Sequence, residues 1–170
     1  MLVAEGAQRP FDPDRIVVSK TNLKGHIQYA NRMFLDLAEY DERDLLGQPH
    51  NVIRSQAMPR CIFKLLWDRL MAGREVFAYV VNATKNNNHY WVFAHVTPSR
   101  NARGEVTSYH SNRRHARPEA IAKISEIYAM LLAVEGSHQN RKEGLKASTE
   151  KLEEILAELG MDYDEFVFTL

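Results

Sequence analysis

The fourteen residues GQPHNVIRSQAMPR, Gly47 to Arg60, concentrate the groups of this chain best suited to gripping a small molecule. Arg54 offers a charged, forked donor that matches phosphate oxygens or the carbonyl edge of a heterocycle. His50 and Asn51 add further hydrogen-bonding atoms, and Pro49 and Pro59 bracket the run. That is more polar capacity than a linker needs, so the stretch reads as a flexible wall of a small-molecule pocket with Arg54 turned inward. Catalytic chemistry has no comparable candidate set. No nucleophile elbow, phosphate loop or paired-carboxylate motif is present, and an enzyme is the least supported class. His50, His89, His95 and His110 are scattered without metal-ligand spacing, so no metal site is expected.

The bulk numbers narrow the field further. At 170 residues the chain suits one domain and an extension. Lys plus Arg and Asp plus Glu both number 22, and that balance lacks the basic field a nucleic-acid or membrane-surface binder needs. The short basic run SNRRHARP, Ser111 to Pro118, reads as a solvated junction. A single cysteine, Cys61, allows neither an intramolecular disulfide nor a thiolate cluster, which fits a reducing cytoplasm. No run approaches the roughly 18 apolar residues of a membrane span, and the start lacks the apolar core of a signal peptide.

The elements that must position the polar stretch follow from periodicity. Residues 1–14, with Pro10 and Pro13, read as a mobile leader. Ile16 to Ser19 and His26 to Tyr29 read as a hairpin turned by Asn22 and Gly25. Asn31 stands where a helix cap belongs, before Met33, Phe34 and Leu37 at helical spacing. Asp41 is a candidate cap for a short turn of helix ended by Gly47. Beyond the polar stretch, Phe63, Leu66, Trp67 and Leu70 lie at i, i+3, i+4 and i+7 on one helix face, and Gly73 terminates that helix. Two strands, EVFAYVVNA and HYWVFAHVTPS, flank the turn TKNNN, whose asparagines tolerate left-handed backbone. On the second, Tyr90, Val92, Ala94 and Val96 share one face, and Trp91, Phe93 and His95 the other. EVTSYHSNR makes a final strand. After Pro118, Ile121, Ile124, Tyr128 and Leu131, then Leu145, Leu152, Ile155 and Leu159, mark two amphipathic helices around a polar bend, unless they form one long interrupted helix. The last residues, MDYDEFVFTL, are expected to dock on the body.

Five antiparallel strands with short helices inserted after the second resemble a PAS sensor domain. The runs YANRMF, GQPHNVIR with MPR, FKLLWDRLMAGR and NNNHYWVFAHVTP resemble in particular the flavin-binding PAS domains of the bacterial aerotaxis receptor type. These matches span residues 15–116 in the right order and spacing. The resemblance implies an α+β PAS fold, a five-stranded antiparallel sheet with short helices on one face. The organisation expected is a leader (1–14), a PAS sensor domain (15–117) and a C-terminal helical extension (118–170).

It also implies FAD in the cavity between sheet and helices, with the redox state of the flavin as the signal. Position by position, the family's flavin contacts fall on Asn31, Arg54, Trp67 and Asn82. Ser55 completes the set where the family has a histidine, since Ser55-Gln56-Ala57 replaces its usual His-Pro-Asp. The tryptophan common at the next strand's start is likewise replaced, by Glu75 to Phe77. Trp67 suits stacking on a ring, and the two asparagines offer donor and acceptor atoms to a heterocycle edge. Cys61 does not resemble the cysteine motif of the light-oxygen-voltage branch, so no covalent role is expected of it. Haem on one of the four histidines, another small molecule, or a cofactor-free interaction module remain alternatives. With about 50 residues after the PAS segment, output is expected through a downstream signalling protein or a homodimer, in the cytoplasm, with no nucleic-acid or membrane partner.

Overall fold

A computed structural model describes Leu2 and residues 4–170; Met1 and Val3, part of the expected leader, lie outside the described residues. The alternating segments build one antiparallel sheet from β1 (Val17–Thr21), β2 (Ile27–Ala30), β3 (Val76–Ala83), β4 (His89–Arg100) and β5 (Val106–His115). Its order is β2-β1-β5-β4-β3. Chain order and sheet order differ because β5 inserts beside β1, so the helices between β2 and β3 must cross one face of the sheet.

Those helices are α1 (Arg32–Ala38), α2 (Glu42–Leu45), a single 3-10 turn (His50–Ile53) and α3 (Arg60–Met71). Asn31 caps α1 as its position suggests, its Oδ1 accepting from Phe34 N at 3.0 Å. Asp41 precedes α2 without a side-chain cap bond. Pro59 sits one residue before α3, and Gly73, at φ +72°, ends it. In the turn between β3 and β4, Asn87 takes the left-handed conformation, at φ 60°. Phe34, Leu37, Leu45, Ile53, Met58, Ile62 and Leu70 bury their side chains between these elements and the sheet.

Two differences from the sequence reading matter for the site. The described part of the leader is bonded to the sheet: Arg9 N donates to His89 O at 2.7 Å, His89 N to Ala7 O at 3.0 Å, and Gln8 makes a parallel bridge to His89. Glu5 accepts from both Ser55 Oγ and Gln56 N. A segment without periodicity offers no warning of this, because the bonds are made by backbone and by one carboxylate. The polar stretch is likewise bonded to its neighbours. His50 N donates to Gly25 O at 2.9 Å, Ile27 N donates to Gln48 O at 2.9 Å, and Arg54 forms an antiparallel bridge with Asn82. Its start is bonded to the β1–β2 hairpin and its middle to β3.

The C-terminal residues follow the first of the two expectations, two helices around a polar bend with a docked terminus. They form α4 (Pro118–Gly136) and α5 (Arg141–Leu159), a hairpin turned at residues 137–140 instead of one long helix, followed by α6 (Tyr163–Thr169). The outer face of the sheet receives α4 and α6: Tyr128 donates to Tyr79 O at 2.6 Å and stacks on Trp91, while Phe168 meets Phe77 and Phe93. α5 turns back to pack on α3. A buried carboxylate fixes that contact. Glu135 accepts from Arg60 Nε at 2.9 Å, from Cys61 N at 3.1 Å and from Ser148 Oγ at 3.0 Å, so one side chain caps α3, pairs its first residue and holds α5. Gly144 makes the close approach possible, since a Cβ there would stand 2.6 Å from Glu135 O.

Candidate ligand cavity

Between the inner face of the sheet and α3 lies a cavity of about 630 Å³. Its helical wall is the face formed by Phe63, Leu66, Trp67 and Leu70. Its floor comes from alternate strand positions, including Val80 and Asn82 on β3, Ala94 and Val96 on β4, and Ser111 and Arg113 on β5. Leu145 of α5 also reaches it, so the C-terminal hairpin closes part of the cavity. The apolar walls with a few polar groups between them are the composition of a small-molecule site.

Three of the five residues implied by the resemblance meet here. Trp67 contacts Tyr109 edge to face, 5.6 Å between centroids, and its ring lies against Gly25, where a Cβ would come within 3.2 Å. Gly25 is at φ +80°, so the hairpin turn presses on the tryptophan with no side chain between them. Arg54 lays its guanidinium over Phe63 at 4.4 Å and takes part in no ion pair among the described residues. Desolvation, above all, lowers its pKa; the Glu135 carboxylate works against this, and Arg60 and Arg141 add repulsion. Asn82 is 3% exposed, and its Nδ2 has no hydrogen-bond partner among the described residues. The Tyr90 hydroxyl beside it on the paired strand is likewise buried without a partner among the described residues, and an amide donor left so costs stability unless something accepts from it.

Asn31 and Ser55 stand elsewhere. Asn31 spends its side chain on backbone: besides capping α1, its Oδ1 accepts from Val18 N at 3.0 Å and its Nδ2 donates to Ile16 O at 2.8 Å. Ser55 donates to Glu5 and accepts from Ala57 N, facing the leader. Neither lines the cavity. Of the four histidines only His50 does, and its Nε2 lies 2.6 Å from Arg113 Nη2. Arginine can only donate, so His50 accepts there as the neutral tautomer protonated at Nδ1. Burial and the Arg113 cation push its pKa down to about 3. His89 bonds Glu5 O, His95 pairs with Glu75 and stacks on Phe77, and His110 bonds Asn112. No group of three potential metal ligands exists among the described residues.

Arg113 is the floor residue that the sequence reading missed, having placed it in a solvated basic run. It is 5% exposed and donates to Ser19 Oγ at 3.0 Å. The signal was there in the strand alternation, because Tyr109, Ser111 and Arg113 share the inner face of β5. Lys24, Arg54, Arg60 and Lys64 line the same cavity, and among the described residues no aspartate or glutamate does. Arg60 is neutralised by Glu135 behind the wall, so the net positive charge at the cavity comes from Lys24, Arg54, Lys64 and Arg113.

A sheet ordered 2-1-5-4-3 with this helical wall is the PAS arrangement, and the chain belongs to the PAS domain family, whose model matches residues 13–111. It is 36% identical over 124 residues to the aerotaxis receptor of Escherichia coli K12, covering 73% of this chain and 24% of that protein. It is 27% identical over 99 residues to the nitrogen fixation regulatory protein of Klebsiella pneumoniae, covering 58% of this chain and 20% of that one. The chain thus spans about a quarter or less of the length of these relatives. In solved structures the fold is shared with a light-oxygen-voltage domain studied with a flavin analogue. The TM-score is 0.60 at 16% identity, over 65% of this chain and 84% of that one. It is shared too with the light state of the Aureochrome1 photoreceptor domain, at TM-score 0.55 and 21% identity, over 72% and 91%. No helix among the described residues is long and apolar enough to cross a membrane.

Proposed function

We propose that this chain is a sensor that binds FAD in the cavity and reports redox or oxygen state through its C-terminal helices to a partner protein. The observation that carries the reading is the cavity itself. It pairs an aromatic wall with a buried, unpartnered Asn82 Nδ2 and a mouth of cations without acids, in a chain similar to the aerotaxis receptor. The residues present fit such a group: Trp67 offers a face for a flat ring, Asn82 a donor for a heterocycle carbonyl, and Arg54 with Lys24 and Lys64 the charge to hold phosphates. When bound, the flavin supplies reversible electron uptake, with a change of charge at its ring. This chain's residues bind and transmit. Asn82 sits on the strand opposite Tyr90, and α3 holds both Trp67 and the Glu135 contact, so a shift at the cavity wall reaches α4 and α5 through one helix. A bias of about 1–3 kcal/mol between two hairpin positions is the ordinary range for such coupling. The role is recognition and signalling, not catalysis, in the cytoplasm and through a homodimer or a downstream protein.

The deciding experiment is the absorption spectrum of freshly purified protein, with mass spectrometry of any ligand released on denaturation. Oxidised-flavin bands and an FAD mass are expected, and Asn82→Asp should weaken FAD binding or alter its redox response. A colourless protein that takes up no added FAD refutes the reading. A cofactor-free interaction module is the second reading, favoured by the commitment of Ser55 to Glu5 instead of to the cavity.

A further inference from the structure

Arginines at the packed positions of this fold come with carboxylates: Arg9 with Glu39, Arg60 with Glu135, Arg69 with Asp164. Arg113, deeper than these, has none within ion-pair distance among the described residues. Its hydrogen-bond partners, Ser19 Oγ and His50 Nε2, are neutral, and it lies 5.4 Å from the Phe34 ring. A buried cation without a counter-charge is costly, and folds rarely keep one unless something supplies the anion. Beside it, the inward-facing Ser111 Oγ is buried with no hydrogen-bond partner among the described residues, as is Asn82 Nδ2. In register across β4 from Arg113 stands Ala94, whose small side chain leaves the floor open.

We propose that the cavity floor is an anion-accepting subsite, in which Arg113, with Ser111 next to it, receives a ligand group that is negatively charged or dense in acceptor oxygens at its buried end. This is distinct from the cations at the mouth, which suit phosphates in solvent. The inference shares the cavity with the flavin reading and rests on it only in taking the cavity to hold a small molecule. Neutralising His50 is part of the arrangement: as an acceptor it orients the guanidinium without cancelling its charge. Ser19 Oγ and His50 Nε2 are 3.5 Å apart, so with Arg113 removed they can satisfy each other.

The test uses the whole ligand-free chain and two flat aromatic probes of matched shape, 2-naphthoate and neutral 2-naphthamide, with binding read by calorimetry. The wild type should prefer the anion by about tenfold or more, the usual worth of a hydrogen bond to a buried charge. Arg113→Met should bring the two affinities together, while Arg113→Lys keeps most of the preference. The ligand-free Tm of Arg113→Met should equal or exceed that of the wild type. A preference that survives Arg113→Met belongs to the mouth and overturns the proposal, as does the absence of any preference or of any binding. A lower ligand-free Tm in Arg113→Met makes the arginine structural and also overturns it. FAD titrations on the same proteins separate the two readings. If the naphthoate preference holds where FAD fails to bind the wild type, the flavin reading falls and the subsite stands. If FAD binds wild type and Arg113→Met alike with no naphthoate preference, the subsite falls and the flavin reading stands.

Discussion

Removing the Glu135 carboxylate should release the C-terminal hairpin from α3. Glu135 is buried and holds three donors, one of them the Arg60 guanidinium, whose side chain keeps 21% of its exposure. Breaking a buried pair by deleting one partner costs about 3–5 kcal/mol, and loss of a helix cap about 1 kcal/mol. Arg60 can turn to water, which pulls the sum down, so Glu135→Ala should lose about 3 kcal/mol. In a chain of this size each kcal/mol moves Tm by about 2–4 °C, giving a fall of about 6–12 °C. Glu135→Gln keeps an acceptor for Cys61 N and Ser148 and should lose about half as much. Thermal and urea unfolding give these values, and a double-mutant cycle with Arg60→Ala should return a coupling of about 1–3 kcal/mol. Amide exchange should rise first in α5, as a locally opening unit. A Glu135→Ala loss below about 1 kcal/mol, or strict additivity with Arg60→Ala, would refute the idea that this carboxylate joins hairpin to cavity wall.

Other perturbations test neighbouring parts of the structure. Gly144→Ala gains helix propensity but pushes a Cβ against Glu135 O, so a net loss of about 1–3 kcal/mol is expected, and a stabilised variant would mean the helices are not in that contact. His50 has its pKa depressed from 6.5 to about 3, so below pH 6.5 the unfolded chain binds a proton that the folded chain refuses. Its contribution is therefore intact above pH 6.5 and is lost as pH falls towards 3, by up to about 1.4 kcal/mol per pH unit. Urea midpoints of the wild type should fall more steeply over that window than those of His50→Gln, and parallel curves would contradict the assignment. Burial pushes the Cys61 thiol up to about 11, so Ellman's reagent at pH 8 should label it only after unfolding; rapid labelling of native protein would show an exposed thiolate.

How far the sequence discloses this molecule depends on the range of the interaction concerned. β3, β4 and α3 were legible because their burial follows a local period, and Trp67 could be placed on the cavity face from its spacing with Phe63, Leu66 and Leu70. Asn31 was legible as a cap, a local role, and its further bonds to Val18 N and Ile16 O turn its side chain to backbone and away from the cavity. The docking of Glu5 on Ser55, fifty residues apart, has no local signature. Arg113 was obscured for a different reason. Its neighbours in a basic run suggested solvent, and only the inner-face alternation of β5 with its cross-strand partner Ala94 shows otherwise. α6, short and rich in aromatics, takes its helical form from the Asp162–Glu165 capping box and from docking on the sheet, not from a long periodic pattern.

The outer face of the sheet, where Tyr128 and Phe168 lie on Trp91, Phe77 and Phe93, has a resident occupant carried by the same chain. A tether of this kind keeps its cargo at an effective concentration on the order of millimolar. Any visitor to those aromatics, a second copy included, meets a rival that never diffuses away, and its apparent affinity falls by the resident's own occupancy. The face is thus open to visitors only in the fraction of molecules whose helices have let go, which turns a static surface into a gauge of the hairpin's position.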